Sequence, residues 1–409
     1  MDPVVVGLDI GTTQVRSLIA ELSERGELEV TGVGRAVSPG LRRGVVINID
    51  ATLEAVREAI EHAEMMAGRE VEDVFTGIAG THIEGINSKG VVAVSPKGKE
   101  RKVSQEDIVR VLDAAKALGL PMDREILHAI PQEYKVDEQD HIKDPLNILG
   151  VRLEADVHII TGSVTASQNL IKCVQRAGYD VHGLFLEALA AGKAVLTEDE
   201  KDLGVVHIDI GGGTTDVVVY LGGAPYLTGA IPIGASQVTS DLSIMLETPF
   251  EAAERLKRQS GCCFLPLVED EEVIIPGVGG RPPLATSRAE VVHIIQARMT
   301  EIYELILEKI QKKGYLPHVG GGVVLTGGGA LLEGASELAM EVFGKPARVG
   351  YPMGVKGLPP EFETPEFATA VGLLLFGKEV LLEEGVRPLS QRRSSWFSSI
   401  GQWLKNFFE

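Results

Sequence analysis

Two glycine-rich segments with nearly the same pattern occur two hundred positions apart in this 409-residue chain. The first is VVGLDIGTTQVRSLIA, residues 5–20, and the second is VVHIDIGGGTTDVVVY, residues 205–220. Each reads as an apolar strand that ends in Asp-Ile, a tight turn and a second apolar strand. An internal repeat of this size indicates a duplicated domain. The repeat therefore predicts two similar α/β halves that face each other across a cleft, with one hairpin from each half.

The turns of the two hairpins have the composition of phosphate-binding loops. Glycine leaves backbone N–H groups open to an anion because no Cβ blocks the approach, and threonine hydroxyls add donors. Neither turn has the pattern of a P-loop or of a dinucleotide-binding fold, and one such turn alone is more often an ordinary tight hairpin. The residues are Gly11, Thr12 and Thr13 in the first turn and Gly211, Gly212, Gly213 and Thr214 in the second.

A third glycine-rich segment, LTGGGALLEG at residues 325–334, follows another predicted strand. We expect its glycines to open a helix and to let a nucleotide lie close to the backbone; they are Gly327, Gly328 and Gly329. Asp9 and Asp209 stand at matching predicted strand ends, facing the cleft from opposite sides. A lone aspartate there is usually a turn cap, but two that are related by a repeat favour a hydrated Mg²⁺, which needs few protein ligands.

The composition excludes several classes of protein. A net charge of −19 disfavours nucleic acid binding, which requires a basic face, and disfavours electrostatic attachment to an anionic bilayer. No apolar run approaches the length of a transmembrane helix, about 18 residues, and the first residues lack the basic region of a signal peptide. Three cysteines, Cys173, Cys262 and Cys263, cannot form a disulfide framework. We therefore expect a cytoplasmic protein.

Alternating helix and strand patterns predict layered α/β structure along the chain. Residues 50–68 predict a helix with Asp50 as N-cap and Gly68 as C-cap. Residues 104–119 predict a second helix that begins with a capping box. Residues 82–161 read as an insertion with a small core of its own.

The last sixteen residues, SSWFSSIGQWLKNFFE, contain both tryptophans of the chain. On a helix with about 100° per residue, the large apolar side chains fall within an arc of roughly 140°. They are Trp396, Phe397, Ile400, Trp403, Leu404, Phe407 and Phe408. An amphipathic helix more often packs against a protein core. Here the terminal position, the linker-like segment 385–394 before it and the aromatic face favour a membrane-surface anchor.

Three motifs in this order, GLDIGTT, HIDIGGGTTD and VLTGGGA, resemble the superfamily of actin, DnaK-type chaperones and sugar kinases. The insertion and the segments IPQEYKVD, IPIGASQVTSDL, GVGGRPP and ATAVGLLLFGKE narrow the resemblance. Together they are similar to the FtsA family of bacterial actin-like cell-division proteins over essentially the whole chain. Two alternatives remain: a small-molecule kinase, which needs a catalytic base and a substrate pocket, and a PilM-like pilus adaptor. The amphipathic tail disfavours both.

The resemblance implies an α/β fold of duplicated actin-like domains around a nucleotide cleft. The implied subdomains are 1A (residues 1–81 and 162–200), the inserted 1C (82–161), 2A (201–229 and 301–384), 2B (230–300), a linker (385–394) and an amphipathic membrane-targeting helix (395–409).

The resemblance also implies ATP and Mg²⁺ as ligands and at most slow ATP hydrolysis. The hairpin turns would bind the phosphates, Asp9 and Asp209 would lie near the ion, and the third glycine segment would contact adenosine. The other implied roles belong to single residues: Glu187 orients the attacking water, Glu254 and Lys257 contact ribose and adenine, and Arg16 replaces a phosphate-binding lysine of actin. From the residues alone, an arginine on a hairpin strand is usually a solvated edge residue.

The implied partners are the C-terminal tail of FtsZ, further copies of the chain in an actin-like filament, the lipid surface of the inner membrane, and other division proteins that bind residues 82–161. The predicted location is the cytoplasmic face of the inner membrane at the division site. We expect the acidic FtsZ tail at subdomain 2B, near Arg288 and Arg298. Arginines on a helix are more commonly solvated charges, so that alternative stays open.

Overall fold

A computed structural model describes residues 3–95, 98–269 and 271–386 of the chain. The predicted membrane-targeting helix at 395–409, with all of its apolar residues, lies outside the described residues, as do residues 387–394 of the predicted linker. Within the described part, no helix is long and apolar enough to cross a membrane.

The first half of the chain forms a sheet and its helices, interrupted by an insertion. It begins with β1 (Val4–Ile10), β2 (Gln14–Leu22), β3 (Leu28–Val37), β4 (Leu41–Arg42), β5 (Val45–Val46), α1 (Ile49–Ala67) and β6 (Asp73–Ile78). The insertion contains β7 (Glu84–Ala93), β8 (Arg101–Lys102), α2 (Gln105–Lys116), β9 (Arg124–Val136), β10 (Gln139–Ile142), β11 (Leu149–Gly150) and β12 (Arg152–Ser163). The half resumes with α3 (Val164–Ala177), β13 (Asp180–Leu186) and α4 (Glu187–Val195).

The sheet of the first half has the strand order β13-β6-β1-β2-β3. β1, β2 and β3 run antiparallel, whereas β6 and β13 lie parallel on the other side of β1. Every residue of β1 after the first is buried, as expected for a central strand whose sheet is covered by helices. The first glycine turn joins β1 to β2. Because β1 is the central strand of the five, this turn lies near the middle of the sheet edge at which β1 ends.

The first helix has a different cap from the predicted one. Asn48, not Asp50, is the N-cap of α1, and its side chain accepts a hydrogen bond from the backbone N–H of Ala51. Asp50 lies in the first turn, where the helix dipole favours a carboxylate. Asparagine and aspartate cap equally well, so residue type alone does not place the cap at Asp50. The predicted C-cap Gly68 is confirmed, with a left-handed φ of 65°.

The insertion folds as an antiparallel sheet of order β10-β9-β12-β7, against which α2 packs. The predicted capping box is present, because the Asp107 carboxylate accepts a hydrogen bond from the backbone N–H of Ser104. The helix ends at Lys116, before the predicted end at residue 119.

The second half contains α5 (Glu198–Leu203), β14 (Val205–Ile210), β15 (Thr215–Leu221), β16 (Ala224–Ile231), α6 (Ala235–Met245), α7 (Phe250–Ser260), β17 (Glu272–Ile275), β18 (Leu284–Ser287), α8 (Arg288–Lys312), β19 (Val323–Thr326), α9 (Ala335–Phe343) and β20 (Ala347–Val349), and α10 (Ala368–Val386) follows. Its main sheet has the order β16-β15-β14-β19-β20. That order, antiparallel on one side of β14 and parallel on the other, repeats the order β3-β2-β1-β6-β13 of the first half. The duplication predicted from the two hairpins is confirmed.

The last helix belongs to the first half, which corrects the predicted subdomain boundaries. α10 follows the second half in sequence and was expected in subdomain 2A with the rest of residues 301–384. It packs against β1 and α4 instead, and its apolar side chains, such as Val371 and Leu374, are part of the hydrophobic core of the first half. A Cβ on Gly372 would lie 1.8 Å from the carbonyl oxygen of Ala190, so only glycine permits this close contact with α4.

Candidate functional site

A cavity of about 640 Å³ lies between the two halves. Both hairpin turns, the glycine segment after β19, the start of α4 and the turn before α10 contribute to its wall. The residues predicted for nucleotide and ion that line it are Asp9, Gly11, Thr13, Arg16, Glu187, Asp209, Gly211, Gly212, Thr214, Glu254, Lys257, Gly327, Gly328 and Gly329. Thr12 and Gly213, which face each other across the two turns, do not line it.

The two hairpin turns touch each other, and the contact is asymmetric. A Cβ on Gly212 would lie 2.3 Å from Cγ2 of Thr13. A Cβ on Gly213 would lie 2.8 Å from Cγ2 of Thr12. Glycine is therefore required at both positions, since threonine side chains of the first turn fill the space. The Thr12 hydroxyl also accepts a hydrogen bond of 3.2 Å from the backbone N–H of Gly44, between β4 and β5.

One register position carries opposite charges in the two hairpins. Asp9 lies opposite Arg16 in the first hairpin, and Asp209 lies opposite Asp216 in the second. Asp216 lines the cavity, although sequence reasoning did not single it out. The repeat itself contained the signal, because Asp216 follows Asp209 at the spacing at which Arg16 follows Asp9.

Four carboxyl groups line the cavity and have raised pKa values; Asp9 and Asp216 are buried, and Glu187 and Asp209 are half-buried. Burial, followed by the charge of Asp9, raises the pKa of Asp209 to about 7. Burial, followed by the charge of Asp209, raises the pKa of Asp216 to about 7. The pKa of Glu187 is raised well above its ordinary value by burial and then by the charges of the three aspartates. Burial also raises the pKa of Asp9, against the effect of the Arg16 guanidinium. The cluster therefore holds more acidic groups than the one guanidinium beside it can neutralise.

Arg16 brings a cation to this cluster from a buried position. Its Nη1 lies 3.4 Å from Oδ2 of Asp9 and its Nη2 lies 3.5 Å from Oε1 of Glu366. The guanidinium stands over the ring of Phe367, 5.5 Å from the centroid. Its buried Nε finds no hydrogen-bond partner in the described part of the chain. Arg16 is thus a cleft residue rather than a solvated edge residue.

Glu254 and Lys257 form one network on the wall of the cavity. The ammonium of Lys257 lies 2.7 Å from Oε2 of Glu254 and donates to the carbonyl oxygen of Ala235 at 3.1 Å. The hydroxyl of Thr239 donates to the same Glu254 oxygen at 2.5 Å. Burial lowers the pKa of Lys257, and the Glu254 carboxylate opposes that shift. The two residues predicted for ribose and adenine therefore bind each other here.

The third glycine segment opens a 3₁₀ turn, not the predicted α-helix. The turn spans Gly328–Leu331, and α9 begins only at Ala335. Gly327 has φ 79°, and a Cβ there would lie 2.3 Å from Oδ1 of Asp209. A left-handed residue followed by a short turn interrupts helical hydrogen bonding, which a run of glycines does not reveal in sequence. The backbone nevertheless approaches the cleft as predicted.

The described residues contain no group of three or more His, Cys, Asp or Glu side chains arranged to hold a metal ion directly. The Thr369 hydroxyl donates to Oδ2 of Asp209 at 3.3 Å, and Arg16 faces Asp9. An ion that keeps its water shell needs only one or two protein carboxylates. The predicted Mg²⁺ position between Asp9 and Asp209 is compatible with that arrangement.

Arg288 and Arg298 lie outside the cavity and have partners within the chain. Arg298 binds both carboxylate oxygens of Asp241, at 2.6 and 3.1 Å, and also contacts Glu301. Arg288 contacts Glu271 at 3.3 Å and Glu333 at 3.0 Å. The side chain of Arg298 is 26% exposed and that of Arg288 is 20% exposed. Neither arginine is therefore the fully solvated charge that the sequence allowed as an alternative.

Two family models match the chain: Cell division protein FtsA over residues 206–372, and SHS2 domain inserted in FTSA over residues 80–161. Curated proteins similar over nearly their full length carry the same description. The chain is 43% identical to Cell division protein FtsA of Borreliella burgdorferi, covering 99% of both chains. It is 45% identical to that of Pseudomonas aeruginosa, over 91% of this chain and 89% of the other, and 39% identical to that of Escherichia coli K12, over 99% and 98%.

Solved structures with much lower identity share the fold. The PilM–PilN type IV pilus biogenesis complex matches with a TM-score of 0.64 at 18% identity, covering 91% of this chain and 98% of the other. MreB5 of Spiroplasma citri bound to ADP matches with a TM-score of 0.57 at 13% identity, covering 94% and 99%. At such identities the likeness concerns the actin-like fold alone.

Proposed function

Because this chain belongs to the FtsA family of cell division proteins, we propose that it is an ATP-binding, filament-forming adaptor of the division machinery. It would attach FtsZ to the inner face of the cytoplasmic membrane at the division site and help to assemble the septum. The observation that carries the nucleotide part is the cleft, where two glycine turns meet beside a buried arginine whose Nε has no hydrogen-bond partner among the described residues.

The residues of the cleft fit a nucleotide triphosphate. Gly11 and Gly211 open their turns at the cavity wall, and Thr13 and Thr214 line the cavity beside them. Arg16 has donors left for a phosphate, since its buried Nε is unpaired among the described residues. The segment Gly327 to Gly329 would contact the adenosine. Glu254 and Lys257 would give up part of their contact with each other and bind the ribose and the base instead. A solved relative of the fold, MreB5, is bound to AMPPNP in one structure and to ADP in another.

The carboxyl cluster fits a divalent cation. Burial first, and the charge of a neighbouring aspartate second, raise the pKa values of Asp209 and Asp216, and a divalent cation would offset both effects. Asp9 and Asp209 would hold Mg²⁺ through its waters, and the ion would offset the charge of the phosphates. Glu187 would orient the attacking water. Burial and then the charges of the three aspartates raise the pKa of Glu187 well above its ordinary value, and a bound cation would oppose that shift.

The tail after α10 would supply the membrane contact. Burying seven large apolar side chains gives a gross gain of about 10–20 kcal/mol, but partial immersion and the folding of a helix remove much of it. A single tail would therefore bind reversibly. A filament that presents many tails would bind far more firmly through multivalency, so ATP-dependent self-association and membrane attachment would be linked.

FtsZ would bind at subdomain 2B and other division proteins at the insertion. Arg288 and Arg298 remain the proposed contacts for the acidic FtsZ tail, but the tail must displace acidic partners within the chain. We expect Arg298→Gln to weaken binding of an FtsZ tail peptide at moderate salt. Arg281→Gln, on an exposed arginine paired with Glu247, is the matched control. Equal affinity for Arg298→Gln and wild type would remove Arg298 from the proposed site.

Liposome co-sedimentation tests the adaptor function directly. The proteins are the full chain, a version that ends at Ser395, Trp403→Glu on the apolar face of the predicted tail helix, and Ser399→Glu on its polar face, each with and without ATP. We expect the full chain and Ser399→Glu to pellet with lipid, more so with ATP, and the other two to remain in solution. If all four stay in the supernatant on anionic lipid, the tail is not a membrane anchor.

A further inference from the structure

Glu366 occupies an unusual place in the cleft, although nothing in its local sequence points to a ligand. It lies in the 3₁₀ turn Pro365–Phe367, directly before α10. Its Oε1 is 3.5 Å from Nη2 of Arg16 and 3.1 Å from the position that a Cβ on Gly328 would take. The carboxylate therefore stands between a cation of the first hairpin and the glycine segment of the second half, inside the same cavity.

The contact between Glu366 and Arg16 is loose compared with other arginine pairs in the chain. Charge-assisted hydrogen bonds usually measure about 2.7–2.9 Å, whereas Arg16 lies 3.4 and 3.5 Å from its two carboxylates. Arg101 instead binds both oxygens of Asp107, at 2.6 and 2.8 Å. Arg16 is thus held by charge without optimal hydrogen bonds, and its Nε remains unpaired in the described part. A better anion would displace Glu366 at little cost.

The charge balance of the cavity makes Arg16 the cation that an anionic ligand can recruit. The charged residues of the lining are the acidic Asp9, Glu187, Asp209, Asp216, Glu254, Glu333 and Glu366 and the basic Arg16, Lys257 and Arg258. Lys257 and Arg258 both contact Glu254 at 2.7 Å. Lys257 and Arg258 lie on α7, whereas Arg16 lies on the first hairpin. A phosphate at the turns therefore meets the loosely held guanidinium of Arg16, and Glu366 competes for it.

We propose that Glu366 is a built-in competitor of the phosphate groups, which occupies Arg16 in the nucleotide-free cleft and sets the preference between ATP and ADP. The inference rests on the proposed nucleotide site. A bound nucleotide must displace the Glu366 carboxylate from Arg16, and that carboxylate then remains close to the nucleotide. ATP carries one more negative charge than ADP and therefore gains more from an Arg16 guanidinium that Glu366 does not neutralise. Glu366 thus lowers affinity for both nucleotides and favours ADP relative to ATP.

Isothermal titration of the full chain with MgATP and MgADP tests this role. The variants are Glu366→Gln, which removes the charge but keeps the shape, and Glu363→Gln, which removes the same charge from an exposed residue of the same segment. We expect Glu366→Gln to bind ATP about tenfold more tightly, equivalent to about 1.4 kcal/mol, and ADP by a smaller factor. Glu363→Gln should match wild type. Thermal unfolding without nucleotide checks that each variant is folded.

A double-mutant cycle separates a role through Arg16 from a general effect of charge. In an Arg16→Gln background the gain from Glu366→Gln should shrink to about twofold or less, because the competitor then has nothing to occupy. A full gain in that background, or equal gains for ATP and ADP, would overturn the proposal. So would unchanged or weaker binding by Glu366→Gln when wild type binds normally. If neither wild type nor any variant binds either nucleotide, the proposed function fails as well.

Discussion

The two hairpins of the cleft close with the same backbone hydrogen bond but differ in the side chains of their turns. Both close with the same bond, from the backbone N–H of Gly11 to Gln14 and of Gly211 to Thr214, each at 3.0 Å. Where the first turn has Thr12 and Thr13, the second has two glycines. Threonine in both would clash, and glycine in both would leave a gap between the turns. Duplication produced two equal elements, and their divergence made them complementary.

The charges of the two hairpins diverged in the same way. The first hairpin places Arg16 opposite its aspartate and the second places Asp216 there. One half thus offers a cation to phosphate, and the other adds an acid to a cluster that needs an external cation. A symmetric pair of arginines would bind the carboxylates without a metal, and a symmetric pair of acids would repel phosphate.

The largest expected effect comes from filling the glycine side of the turn contact. In Gly212→Val a Cβ would lie 2.3 Å from Thr13, so the turns must separate. We expect loss of measurable ATP binding and a decrease of about 1–3 kcal/mol in the free energy of unfolding. Titration and urea unfolding measure the two effects. Gly229→Ala on β16, where a Cβ meets nothing within 4 Å, is the control; wild-type ATP affinity in Gly212→Val would show that the turns need not touch.

The next prediction compares the ATP affinities of variants at Arg16 and Asp216, which occupy equivalent positions of the two hairpins and have opposite charges. Arg16→Gln removes the cation and should weaken ATP binding by roughly 10- to 100-fold, the worth of hydrogen bonds to a charged group. Asp216→Asn keeps an acceptor for the Thr214 hydroxyl and should change ATP affinity by less than about threefold. Equal losses in the two variants, measured by titration under the same conditions, would mean that the two hairpins do not divide the work as proposed.

The third prediction is that the free energy of unfolding depends on pH through Asp216 of the second hairpin. The pKa of Asp216 rises from 3.8 to about 7 on folding, so the folded chain keeps a proton that the unfolded chain releases between these values. Its contribution to stability is full below about pH 4 and is lost as the pH rises to about 7.

Asparagine cannot titrate, so nucleotide-free Asp216→Asn should gain stability relative to wild type as the pH rises from 4 to 7. The expected gain at pH 7 is about 4 kcal/mol, because each unit of pKa difference corresponds to about 1.4 kcal/mol. Urea unfolding of both proteins across this range gives the difference directly. A difference that stays constant with pH would place the Asp216 carboxyl in a more polar environment than the structure shows.

The smallest effect concerns the threonine side of the turn contact. Thr12→Ser and Thr13→Ser each remove one methyl group that faces a glycine of the second turn. Each should lower the free energy of unfolding by about 0.5–1 kcal/mol. Thr81→Ser, at an exposed position, is the control in the same urea titration. If both turn variants match that control, the methyl groups do not fill the gap.

Local patterns predicted those parts of the site that depend on neighbours in sequence. The turns of both hairpins and the glycine approach at Gly327 follow from short motifs, and each lies in the cavity. The cap of α1 and the turn after β19 were mistaken because competing local conformations differ by less than a residue pattern can resolve. Asp216 repeats the spacing of Arg16 but not its charge, so the similarity of the two hairpins does not by itself reveal it.

By itself, the sequence determined the duplication, the two sheets and the positions of the glycine turns, because a periodic apolar pattern and a turn residue act over a few neighbouring residues. Only the tertiary structure decided that α10 returns to the first half and that Glu366 meets Arg16. Those partners lie far apart along the chain, and no local preference encodes the path that joins them. The course of the chain depends on which apolar surface remains exposed after both sheets have formed, because α10 packs where it buries that surface. This packing then places charged residues from distant segments in one cleft.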